Sequence, residues 1–146
     1  MFNPERADTR RYFCETWQKA RENQPLDGME SMIATIIQEH PEYQAWLENP
    51  ESNIEREWLP ENGETNPFLH LSMHLAIEEQ LAINQPDGIR SIYEQLVSKL
   101  GDEHLAQHEI LDCLGEMIWQ AQKNRTSPDA LIYLSCLDKK TGTPRS

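Results

Sequence analysis

Prolines repeatedly stand directly behind a residue able to cap a helix: Asn3-Pro4, Asn66-Pro67 and Ser127-Pro128. Proline at the first helical position costs nothing, because its missing N–H would have no intrahelical acceptor there and its φ is already helical. A side-chain oxygen just before it satisfies one of the remaining free N–H groups. This punctuation constrains the chain to an all-α fold, a bundle of about five to seven helices.

The periodicity between these marks agrees. A first helix is expected from about Pro4 to Asn23, with Phe13, Trp17 and Ala20 on its apolar face. A second starts at Asp27, where Asp27 and Glu30 have capping-box spacing, carries Met32, Ile33, Ile36 and Ile37, and stops before Pro41. A short helical piece spans Pro41 to Leu47. Asn49 to Thr65 is a long polar connection, with one turn of helix around Glu55 and Trp58 as its apolar pin, and a connection of that length is a candidate lid. Further helices are expected from Pro67 to Ile83, Ile89 to Leu100, Asp102 to Lys123, and Pro128 to Leu137. Ile89, Ile92, Tyr93, Leu96, Val97 and Leu100 keep a 3.6-residue period, and Gly101 ends their helix. The expected organisation is one domain over residues 1–138, followed by a mobile tail over 139–146.

The chain has 146 residues and a formal charge of −12, from 25 acidic and 13 basic residues. Phosphate backbones are gripped by Lys and Arg, so nucleic acid and anionic membranes are excluded as partners. The opening Met1 to Arg11 is polar, and no apolar run nears the roughly 20 residues of a membrane helix. Cys14, Cys113 and Cys136 are odd in number, without C-x-x-C spacing, and each falls in an apolar stretch. They are expected as free core thiols, with a cytoplasmic location.

Four of the five histidines form two copies of one spacing, His70-Leu71-Ser72-Met73-His74 and His104-Leu105-Ala106-Gln107-His108. Helical positions four apart share a face. Each pair has a carboxylate four residues on, Glu78 and Asp112. One short helix separates the two histidine helices, so antiparallel neighbours would make them parallel, with both pairs at the same height. His70, His74, His104 and His108 with Glu78 and Asp112 are therefore expected to hold a transition metal: iron or zinc first, then manganese or nickel. Glu116, Glu79, Glu15 and Cys113 are reserve ligands. His40 precedes Pro41 at a helix boundary, where capping competes with ligation. The Glu-x-x-His pairs of ferritin-like bundles are missing.

No Ser/His/Asp set or Gly-rich phosphate loop is recognisable. Whether the chain is an enzyme is left open: a hydrolase or oxidoreductase would use an open metal position, with Glu78, Glu116 or a metal-bound water as base. A non-catalytic metal-binding or sensing role suits the same residues. The competing class is a protein-interaction module, with structural histidines and a protein partner or second copy of the chain.

The stretches Asn66-Pro67-Phe68-Leu69-His70-Leu71-Ser72-Met73-His74, Gln85-Pro86-Asp87-Gly88-Ile89, His104 to His108 and Cys113 to Trp119 resemble a bacterial family of small proteins known only as a domain of unknown function. The likeness includes Met1-Phe2-Asn3-Pro4 and Arg11 to Trp17, and so covers nearly the whole chain. It implies a bacterial cytosolic protein and carries no activity.

Overall fold

The computed structural model describes residues 4–54 and 66–142. Eight helices and no strand occur among them: α1 (Pro4–Arg21), α2 (Gly28–Gln38), α3 (Pro41–Leu47), α4 (Pro50–Asn53), α5 (Pro67–Ile83), α6 (Ile89–Leu100), α7 (Glu103–Asn124) and α8 (Ala130–Thr141). The fold is all-α, as the punctuation requires. The expected cap at Asn3, the turn around Glu55 and the Trp58 pin lie outside the described residues.

The caps explain most boundaries. The Asp27 carboxylate accepts the Glu30 N–H at 2.7 Å while the Glu30 carboxylate accepts the Asp27 N–H at 3.1 Å, so the box at the head of α2 is closed in both directions. Asn66 Oδ1 accepts the N–H groups of Phe68 and Leu69 at the head of α5. Asp102 caps α7 through Leu105 N–H, and Gly101 closes α6 at φ +73°, a conformation that favours glycine. The last helix departs from expectation. Its N-cap is Asp129, whose carboxylate accepts Leu131 N–H, so α8 begins at Ala130 and not behind Ser127. It also runs through Thr141 to Gly142 at φ +79°, which makes Lys139, Lys140 and Thr141 helical instead of tail.

The chain divides into two compact units, residues 1–75 and 76–146, with the boundary inside α5. In the first, α1, α2 and α3 pack on one another. Phe13, Cys14, Trp17, Ile33, Ile36, Ile37, Leu47, Phe68 and Leu71 form its core, with Tyr43 and Leu75 against the margin. Arg10 is buried in this unit; it donates to the Ile54 carbonyl at 2.8 Å and lies over the Phe68 ring.

In the second unit α6, α7 and α8 pack pairwise. Ile77, Ile89, Leu96, Ile110 and Leu137 are fully buried there, and Tyr133 donates its hydroxyl proton to Gln80 at 2.7 Å. The expectation of three free thiols fails. Cys113 on α7 and Cys136 on α8 form a disulfide across a Cα–Cα distance of 5.6 Å, within the range such bridges span, and only Cys14 is free. The sequence shows no hint of this, since the partners are 23 residues apart on different helices. Trp119 is 54% exposed, with the Lys123 ammonium over its ring.

Glu30 links α2 to α1. The Lys19 ammonium, 2.8 Å away, and then the Asp27 N–H hold its carboxyl below the ordinary value of 4.5. A depressed carboxylate stabilises the fold fully above its unfolded value, and that contribution disappears as the pH falls through the folded one. Glu30→Gln is therefore expected to flatten the acid limb of stability below pH 4.5 relative to the parent, read from urea midpoints across that range. Identical acid limbs would mean that the pair contributes nothing.

Candidate metal centre

His40 owes its place to the residue after it. A residue before proline is driven out of the α region, and His40 sits at φ −127°, ψ 67°, ending the run of α2 and serving as N-cap of α3 with Pro41 at the first helical position. Its side chain makes no capping bond. Instead Nδ1 lies 2.7 Å from the Ile36 carbonyl oxygen. A carbonyl can only accept, so Nδ1 carries the proton and, in the neutral ring, Nε2 carries the lone pair. A backbone carbonyl on the remote ring nitrogen is the arrangement that orients metal-ligating histidines.

The first histidine pair, on α5, comes to the same place. Helical spacing puts His70 and His74 on one face, with Nε2 atoms 3.2 Å apart. Ring centroids are 5.0 Å apart for His40 and His70, 4.6 Å for His40 and His74, and 4.9 Å for His70 and His74. His40 and His74 are each 1% exposed. One ring nitrogen from each of the three lies within 4.8 Å of the other two.

Two nitrogens bound at about 2.0–2.1 Å to a tetrahedral ion are roughly 3.3 Å apart. The His70–His74 separation matches that bite. With one ring protonated on Nε2, the same separation also serves a direct hydrogen bond, so the pair is well placed with or without an ion. For the third nitrogen, 4.8 Å is the outer limit, and closing it to the tetrahedral distance takes a shift of about 1.5 Å at most.

The second pair stands in the second unit. His104 and His108 are partly buried on α7, their ring centroids 4.2 Å apart. The two carboxylates have protein partners there. Glu78 accepts the side-chain amide of the buried Gln107, and Asp112 lies 3.7 Å from Lys140 Nζ, which also pairs with Glu109. Of the reserve ligands, Glu116 is exposed and takes the Gln120 amide at 2.7 Å, Glu15 is exposed on α1, and Cys113 is spent in the disulfide. His40, where the sequence sets capping against ligation, is the residue that lies beside the first pair. Its signal was the Pro41 that breaks the helix at that point.

Residues 5–139 match the family described as domain of unknown function (DUF1841). The chain belongs to that family. No curated protein and no solved structure matches it. No helix among the described residues is long and apolar enough to cross a membrane.

Proposed function

We propose that this family member binds a transition metal ion through His40, His70 and His74. The observation that carries the reading is a single tautomer and a single distance. The Ile36 carbonyl fixes the proton of His40 on Nδ1, and the two Nε2 atoms on α5 stand at the bite of a four-coordinate ion. Neutral imidazoles suit zinc and ferrous iron, with nickel next. His104 and His108 enter the proposal as further donors on the strength of their matched sequence spacing alone, while Glu78 and Asp112 stay with Gln107 and Lys140.

An ion with a position left for water would supply Lewis-acid polarisation and a hydroxide near neutral pH. That makes a hydrolase or oxidoreductase the catalytic version of the proposal, and a fully ligated ion the structural or sensing version.

The test is elemental analysis by plasma mass spectrometry on tag-free protein, as purified and after reconstitution with zinc, ferrous iron, manganese and nickel followed by gel filtration. Close to one ion per chain in at least one preparation is expected. Protein that leaves the column metal-free after every reconstitution would overturn the reading.

A further inference from the structure

The three imidazoles do not stand alone. Tyr43, one turn into α3 from His40, lies with its ring nearly parallel to that of His40, at 7° and a centroid distance of 5.6 Å. The same ring meets His70 edge to face, at 65° and 5.5 Å. Both distances fall in the range of favourable aromatic pairs. Tyr43 is half-buried and packs against the hydrophobic core of its unit.

An imidazole held by one hydrogen bond can still turn about its side-chain torsions, which are broad for such rings. His40 has its Nδ1 bond as one restraint. The Tyr43 face supplies a second, covering one side of the ring. For His70, the contact with Tyr43 restrains a ring that is less buried than its two companions. One aromatic side chain thus restrains a donor from the α2–α3 joint and a donor from α5 at the same time.

Resting on the metal-binding reading above, we infer that Tyr43 is a positioning residue of the metal centre, holding the imidazoles of His40 and His70 in the orientation that an ion requires. It acts through its ring and not through its hydroxyl. Loss of a side chain that orients metal ligands typically weakens metal affinity 10–100-fold.

The test is titration of the metal-free full chain with cobalt(II), read from its visible ligand-field bands, for the parent, Tyr43→Phe and Tyr43→Ala. Tyr43→Phe is expected to bind like the parent with the same spectrum. Tyr43→Ala is expected to lose about 10–100-fold in affinity and to show altered band positions, because looser ligands change the geometry around the ion. A merely structural role would lower the thermal midpoint of the metal-free protein and leave the spectrum of the loaded protein unchanged. Should Tyr43→Ala unfold below the working temperature, Tyr43→Leu keeps the bulk without the aromatic face and carries the same comparison. Parent-like affinity and spectrum in the Ala or Leu variant would overturn the inference, and so would a Phe variant as weak as Ala. A parent that binds no cobalt at all would count against the metal reading itself, a different result from either of these.

Discussion

His40→Ala is expected to weaken binding of the preferred metal roughly a hundredfold while leaving His70 and His74 in place. Structural zinc sites bind with about 10–16 kcal/mol from four protein ligands, so one ligand accounts for about 3 kcal/mol, or roughly two powers of ten. The substitution also removes one of the bonds to the Ile36 carbonyl and opens space beside the buried His74 ring, since His40 is 1% exposed. His40→Gln separates these effects: it keeps a side chain that can donate to the carbonyl but lacks the imidazole lone pair. Competition with a chromophoric chelator measures both. Parent affinity in His40→Ala would remove His40 from the centre and return the site to the α5 pair. Weak binding in both variants, with melting of the metal-free Gln variant close to that of the parent, is the expected result.

The second large effect concerns the second unit. Closing a loop of 23 residues removes conformational entropy from the unfolded chain worth about 3 kcal/mol. Cys113→Ala/Cys136→Ala is expected to lose about that much stability in urea unfolding, with a small further cost for whatever space Cys113 leaves in the core. A reducing agent added to the parent should reproduce most of the loss and should leave the double variant where it is. An unfolding curve for the parent that ignores the reductant would show that the bridge contributes nothing to stability. The comparison also bears on compartment, since a bridge of this weight matters only where thiols are kept oxidised.

The parts of this protein that the sequence made legible are those governed by local rules. The boxes and caps at Asp27, Asn66 and Asp102 and the glycine at 101 are read within four or five residues, and the helices they delimit stand where the caps put them. The α8 boundary was misplaced because two capping residues, Ser127 and Asp129, lie within one turn, and the carboxylate is the one that accepts the helix N–H. The contacts between helices were not legible. Nothing in the spacing of Cys113 and Cys136 marks them as neighbours.

The candidate metal centre shows the same division. His70 and His74 were readable as a pair because a helix brings them together whatever surrounds it. His40 could be placed at a helix joint by Pro41, but that it faces the pair depends on packing between α2, α3 and α5. Tyr43 carried no sequence signal, because an aromatic at the margin of a small core is ordinary. Glu78 and Asp112 were drawn in by register alone, and Gln107 and Lys140, the groups that hold them, are recognisable only once the helices of the second unit are folded.

The line between the two units falls after Leu75, in the middle of α5 and one residue past His74. Most domain borders run through exposed, loosely held chain, where cutting or grafting does little harm. Here a cut would sever a helix, leaving up to four carbonyls without donors on one fragment and up to four N–H groups without acceptors on the other. The fragment carrying residues 1–75 would keep His40, His70 and His74 in sequence yet hold the last of them on a fraying end. Neither half ends where a helix ends, so both fragments are expected to lose stability on separation at this line.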